Sequence, residues 1–322
     1  MLGRMVADAI AKRGPDALVA DEVVAVAHEA DLFVLNLECC ISERGERRRE
    51  PGKPFFFRAS PEATRVLTRL GVDCVTLANN HALDYGPEAL LDTLAHLDAA
   101  GIAHVGAGAD RAAARTPATL DDGGFRLSVL GCADHPQECA ATPDAPGIAY
   151  GLEWVADALG EVEADAVLVT PHWGPNMTPE PLPQIRAAAA RLRAAGATLV
   201  AGHSAHVFHG VEDRVLYDLG DFLDDYAVDP DLRNDLGLLF LVDLDHEGLK
   251  RLETVPLKLD FCHTRLATGA DAAWIRARFT EACHALGTDV REERGRLVVA
   301  GYSAQGSGTE GHETEGGHPC RR

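Results

Sequence analysis

The chain has 322 residues, 46% hydrophobic and 25% charged, an ordinary globular composition with length for one large α/β domain or two small ones. Its net charge of −20 argues against nucleic acid or an anionic membrane surface as a general partner. No run of about 18 apolar residues marks a membrane span and the N-terminus lacks a signal-peptide pattern. The 8 scattered cysteines contain no C-x-x-C pair and read as free thiols, so the chain as written reads as cytoplasmic.

Apolar, β-prone runs alternate with Ala-rich amphipathic stretches, the pattern of α/β layering. The run 31–37 (DLFVLNL) predicts a strand that delivers Glu38 at its end. The charged stretch 45–53 (GERRREPGK) reads as a solvated surface turn, or as a basic rim that draws in an anionic substrate. Residues 61–70 predict a helix before a strand at 72–77, and Asn79, Asn80 and His81 follow. A helix at 87–100 precedes a strand at 103–105, and 125–132 predicts the next strand. A helix at 153–160 leads to a strand at 166–170 and then His172; a helix at 182–195 leads to a strand at 198–201 and then His203 and His206. Residues 215–219 and 237–244 read as a late, antiparallel pair. Near residue 301 the chain turns Gly-, Ser-, Glu- and His-rich, a composition that cannot bury enough apolar surface to order itself. This divides the chain into a domain at 1–300 and a disordered tail at 301–322.

Loops at the carboxyl ends of strands converge on one crevice in an open α/β sheet. That rule brings Glu38, Asn80, His172, His203 and His206 together. Carboxylate oxygen, amide oxygen and imidazole nitrogen suit zinc, manganese or iron, and the absence of Cys argues against a structural zinc finger. His203 and His206, three apart in a loop, can face one point. Asp84, three after His81, can orient that imidazole, or it can serve the turn into the next helix. Asn36 reads as fixing its loop through backbone bonds, Trp173 as a packing residue, and His209 as a surface residue.

The order of Asn36-Leu37-Glu38, 78–86 (ANNHALDYG), His172-Trp173-Gly174, 202–206 (GHSAH) and 217–222 (YDLGDF) resembles the CapA family. These are poly-γ-glutamate capsule synthesis proteins built on the calcineurin-like metallophosphoesterase fold. The resemblance runs from residue 1 to about 245 and includes 53–57 (KPFFF) and 101–117. It implies an α/β/β/α sandwich, here without its first strand, and a centre of two divalent metals (Mn, Fe or Zn). It further implies that Glu38 bridges both metals, that Asn80, His172 and His203 complete one, and that His206 serves the other. His81 would protonate the leaving oxygen or steady the transition state. In the family, a strand ending Gly-Asp precedes a segment like Met1-Leu2-Gly3-Arg4 and supplies another ligand. The expectation is therefore a natural start upstream, and a chain that holds one metal well and the second poorly. Asp221 stands where the family carries Asn and, with Asp224 and Asp225, adds negative charge that would weaken binding of an anion. Three activities fit: a metal-dependent phosphoesterase, a non-catalytic component binding a polyanionic γ-glutamyl chain, and a metal-dependent γ-glutamyl amide hydrolase. Fold-level analogy does not choose among them.

Overall fold

The computed structural model describes residues 1–301, so the expectation of a disordered tail falls almost wholly outside the described residues. Three sheets carry the architecture. Val34–Asn36, Cys74–Thr76 and Ala103–Val105 form a short, all-parallel sheet in that order. The second sheet has six strands in the order Val211–Glu212, Val215–Leu216, Leu199–Ala201, Ala166–His172, Phe125–Ala133 and Ala118–Asp122. Its central strand, Ala166–His172, is buried at all 7 positions. This is the reading of a parallel strand covered on both faces rather than an alternating one. The third sheet is antiparallel and joins Leu236–Asp245, Gly248–Asp260, Arg296–Val299 and Val290–Glu293, with His263–Leu266 also paired to Gly248–Asp260.

The helices cover the outer faces with stripes that the sequence spacing dictates. In Pro183–Ala194, proline opens the helix and Ile185, Ala188, Ala189 and Leu192 point inward, a three-four spacing. In Gly269–Ala285 the buried positions are Ala272, Ile275, Phe279 and Cys283. One buried cluster draws Val105 from the first sheet, Leu168 and Leu199 from the second, and Leu238 and Leu252 from the third, together with Ile275 and Phe279. The result is the expected α/β sandwich.

One expectation differs from the structure. Val215–Leu216 runs parallel to Leu199–Ala201, while Leu236–Asp245 pairs with Gly248–Asp260 in another sheet, so the two are not partners. An apolar run alone does not say which neighbour it finds. The helices Arg4–Arg13 and Gly269–Ala285 and the strands after residue 245 carry no expectation from the motifs, yet they supply one wall of the core.

Candidate metal centre

The first arm of the crevice follows Cys74–Thr76. Asn79 is fully buried and clamps the loop: its Nδ2 donates to Asn36 Oδ1 (2.9 Å) and Leu37 O (3.0 Å), and its Oδ1 accepts from His81 N (3.0 Å). Asn36 in turn donates from Nδ2 to Glu38 Oε2 at 2.9 Å, so it fixes Glu38 through its side chain rather than through the backbone bonds expected. With Asn79 so engaged, Asn80 Oδ1 is left buried without a partner.

His81 lies between Asp84 and Glu38. Its Nδ1 is 2.6 Å from Asp84 Oδ2, its Nε2 is 3.9 Å from Glu38 Oε1, and the Phe57 ring packs 4.3 Å from its own. Asp84 is fully buried and accepts from Phe57 N (2.6 Å), and Lys53 Nζ stands 2.7 Å from its other oxygen. Lys53 also donates to Asn80 O at 2.6 Å. The end of the charged stretch 45–53 is therefore neither a solvated turn nor a rim: its ammonium is buried against the loop that carries His81. Asp84 orients His81, and the alternative role in the following turn is secondary.

The second arm joins the ends of Ala166–His172 and Leu199–Ala201. A backbone bridge pairs His172 with His203, and their Nδ1 atoms are 3.0 Å apart. Both Nε2 atoms are buried without partners. Burial, reinforced by His203 and the other imidazoles nearby, holds the His172 pKa well below its ordinary value. Burial also lowers His203 to about 4, against the opposing pull of Glu38. Both rings are thus neutral near pH 7, the form that binds a metal. Gly202 before this loop is required by close approach, since a Cβ there would lie 2.3 Å from Trp173 Nε1 and 2.4 Å from Tyr217 O. Trp173 packs as expected and donates from Nε1 to that same carbonyl at 2.9 Å.

His206 sits in the left-handed region at φ 62° and places Nδ1 3.0 Å from Asp221 Oδ1. Burial pushes its pKa down, but the charge and hydrogen bond of Asp221 outweigh that and lift it to about 10. The Tyr226 ring stacks edge-on at 5.1 Å. His209 is buried and its Nε2 lies 2.8 Å from Thr178 O, so it is not the surface residue expected.

A further loop, after Phe125–Ala133, also reaches the crevice. Asp134 receives Gly174 N at 3.0 Å and pairs with His135, whose ring lies 4.9 Å from that of His172. The strand-end rule that finds the other histidines applies to Asp134-His135 as well. Lys53 carries no such signal, because nothing in a charged run marks the one residue that turns inward.

The structure thus brings Glu38, Asn80, His81, Asp84, His172, His203 and His206 to one crevice. Three unpartnered, buried ligand atoms (Asn80 Oδ1, His172 Nε2 and His203 Nε2) lie in it, and Glu38 stands within electrostatic reach of His203 and His206. The Nδ1 atoms of His172 and His203, 3.0 Å apart, share one hydrogen bond, which leaves their Nε2 atoms as the ligand candidates. Among the described residues no three His, Cys, Asp or Glu side chains close on a single point, and Asn80 Oδ1 is a buried oxygen without a partner. On these atoms the residues fit a divalent cation held by oxygen and nitrogen.

Comparison with known proteins shows the family of the chain. The family model "Bacterial capsule synthesis protein PGA_cap" matches residues 1–226. A probable polyglutamine synthesis accessory protein of Mycobacterium tuberculosis is 34% identical over 270 residues, covering 76% of this chain and 70% of that protein. The PGA biosynthesis protein CapA of Bacillus subtilis is 26% identical over 270 residues, covering 80% and 69%. Among solved structures, a phosphatase of Mycoplasma pneumoniae superposes with a TM-score of 0.49 at 11% identity, covering 74% of this chain and 85% of its own.

Proposed function

This chain belongs to the bacterial capsule synthesis protein family PGA_cap, within the metallophosphoesterase superfamily, and on that premise we propose that its crevice is the metal centre of a phosphoesterase-type hydrolase serving poly-γ-glutamate capsule biosynthesis. The observation that carries this reading is the burial of Asn80 Oδ1, His172 Nε2 and His203 Nε2 without partners, with Glu38 close to His81, whose imidazole Asp84 holds. Glu38, Asn80, His172 and His203 would hold one divalent ion, and His206 with Glu38 would contribute to a second. When bound, such ions supply Lewis acidity, charge neutralisation on phosphoryl oxygens and a lowered pKa for water.

The protein's own groups do the rest. Asn36 fixes one oxygen of Glu38 and leaves the other toward the crevice. Asp84 holds Nδ1 of His81, so Nε2 is the nitrogen that meets substrate. In its protonated form His81 gives the Nε2 proton to the departing oxygen as the phosphorus–oxygen bond breaks; water supplies the hydroxyl that phosphorus gains, and its remaining proton restores Nε2 of His81. Asp84 steadies the imidazolium before transfer without itself taking the proton. Lys53 pairs with the other oxygen of Asp84 and keeps the carboxylate aimed at His81.

The test measures metal content and hydrolysis of bis(p-nitrophenyl) phosphate and p-nitrophenyl phosphate with manganese added. Turnover by the wild type, with a loss of about 10²–10⁴ in His81→Ala, supports the assignment. Full manganese loading with no turnover of either ester would refute it. The crevice would then be assigned to binding a γ-glutamyl polyanion, or to attack on its amide bonds.

A further inference from the structure

A wall of rings links two sides of the crevice. Phe57 packs 4.3 Å from His81 and 6.3 Å from Tyr226, and Tyr226 stands edge-on to His206 at 5.1 Å. Phe55 completes the wall, 5.6 Å from Tyr226 and 6.4 Å from Phe57. Tyr226 is half-buried, and Asp224 fixes its backbone by accepting its N–H at 3.2 Å. A ring packed against three others has little freedom to swing, so the atom at its tip is held in place. Among the described residues the Tyr226 hydroxyl has no hydrogen-bond partner, and the charges that act on it most strongly are those of Glu38, Asp221 and Asp224. The hydroxyl therefore opens toward Glu38, between His81 and His206. A phenol keeps its proton at neutral pH and can donate it in a hydrogen bond.

Arg4 supplies a second set of donors on the same wall. Its guanidinium lies 4.3 Å over the Phe55 ring and 5.8 Å from that of Phe57, the two rings that also pack on Tyr226. Its Nε stands 3.5 Å from Asp225 Oδ2, an oxygen that already receives Met5 N at 2.8 Å. That contact is a weak claim on a fork of N–H donors built to meet two oxygens at once. Nη1 is buried without a hydrogen-bond partner, although the side chain as a whole is 31% exposed and can be approached. A guanidinium nitrogen out of water is unfavourable until an acceptor reaches it. The Arg4 backbone also takes φ 52°, a left-handed conformation that costs a residue other than glycine and persists where the surroundings impose it.

We propose that the Tyr226 hydroxyl and the Arg4 guanidinium form an oxyanion-recognition site on this wall, which grips the oxygens of one anionic group of the substrate beside the reacting centre. Their chemistry fits a phosphoryl or a carboxylate group, because a rigid fork and a fixed hydroxyl meet oxygens in a set geometry. A cation in the crevice draws in any anion, whereas placed donors select one by shape. Asp225 and the Phe55 ring hold the guanidinium, and Phe57 and His206 hold the Tyr226 ring, so the donors are in place before the ligand arrives. The inference rests on the reading of this crevice as the substrate site, and it adds the residues that determine specificity there.

The probes are inorganic phosphate and glutarate, each titrated by calorimetry into the full chain with manganese present. Tyr226→Phe keeps the ring and removes only the hydroxyl, and Arg4→Lys keeps the charge and removes the fork. Manganese affinity is measured for each protein alongside. The expected result is saturable phosphate binding by the wild type, about tenfold weaker in each variant, with manganese affinity unchanged. A loss confined to glutarate would keep the site and make its ligand a carboxylate of the substrate. Binding of both anions by Tyr226→Phe as tight as by the wild type overturns the proposal, as does a loss of manganese affinity that accounts for the loss of anion. Absence of binding of either anion to the wild type overturns it as well. The readout needs no turnover, so the two readings fail separately. Phosphate held through Tyr226 without hydrolysis of any ester would refute the hydrolase alone, and hydrolysis with phosphate binding indifferent to Tyr226 would refute this site alone.

Discussion

The buried pair of Lys53 and Asp84 can be tested by a double-mutant cycle. Their charges are 2.7 Å apart, and the side chains are 9% and 0% exposed. At an effective dielectric of about 20 the direct attraction is roughly 6 kcal/mol, much of it offset by the cost of removing both charges from water. Removing one partner is different, because it leaves the other charge buried. Lys53→Met strands a carboxylate that keeps only Phe57 N and His81, and Asp84→Asn leaves the ammonium with the Asn80 carbonyl and the more distant Glu50 carboxylate at 3.8 Å. Each single change should destabilise the fold by about 3–5 kcal/mol. The double variant leaves no stranded charge, so its loss should fall about 3 kcal/mol or more short of the sum. Urea unfolding followed by fluorescence and circular dichroism together measures all four proteins and checks that the transition is two-state. Additivity within about 0.5 kcal/mol would show that the two charges do not share one buried site, and the reasoning would fail.

Further outcomes follow from the same geometry. Without metal, His203, with its folded pKa lowered to about 4, contributes stability above its unfolded value and loses it as pH falls toward 4. His206, lifted to about 10, contributes below its unfolded value and loses that as pH rises toward 10. Asp218 and Asp224, raised to about 7 and about 8, act against His203 between pH 4 and 6.5, so the His203 part, worth up to about 3 kcal/mol, is read by comparing the wild type with His203→Gln. A variant whose stability follows the same pH dependence as the wild type over that range would contradict it. Glu38→Gln should leave the metal-free melting temperature unchanged or higher while removing the upward shift that manganese produces; an undiminished shift would exclude Glu38 as a ligand. Gly202→Ala should cost more than about 2 kcal/mol, because the new Cβ meets the Trp173 ring and the Tyr217 carbonyl, and denaturant midpoints will show whether it does. Cys39 and Cys283 are buried with pKa values raised to about 11 by that burial, against weaker opposing influences. Both should label with a thiol reagent at pH 8 only after unfolding, as peptide mapping of native and denatured protein will show.

The sequence was most legible where a residue's role follows from its place at a strand end. Glu38, Asn80, His172 and His203 each follow an apolar run, and the parallel register carries all of them to one end of the sheets. Asp84 was legible as the partner of His81 because three residues of turn bring a carboxylate back to an imidazole. Lys53 was not, since its inward turn depends on a buried carboxylate 31 positions away in sequence. Residues 215–219 and 237–244 were misread as partners because short apolar strands declare their burial and not their neighbour. The third sheet and its long helix follow no chemical motif, and only the packing of Ile275 and Phe279 under that sheet reveals them as core.

Charge pairing answers much of the negative charge that the sequence places at Asp221 and its neighbours. Its carboxylate faces His206, which it holds protonated in the metal-free chain. Asp225 receives Met5 N at 2.8 Å with Arg4 at 3.5 Å, and Asp84 has Lys53. Burial raises the Asp218 pKa to about 7, and burial with the nearby charge of Asp221 raises Asp224 to about 8, so neither carries a full charge at neutral pH. Glu38 is the exception. It is 6% exposed and contacts one neutral amide at 2.9 Å and an imidazole nitrogen at 3.9 Å, while the protonated His206 within its electrostatic reach is hydrogen-bonded to Asp221 instead. A buried carboxylate that shares its nearest cation with another acid gains when a further cation joins it. The extra acids are therefore balanced by the protein itself, and the deficit falls on the one carboxylate that borders Asn80, His203 and His206. That is the position where a divalent ion would relieve the fold and, in the same act, reverse the local field toward a phosphoryl group.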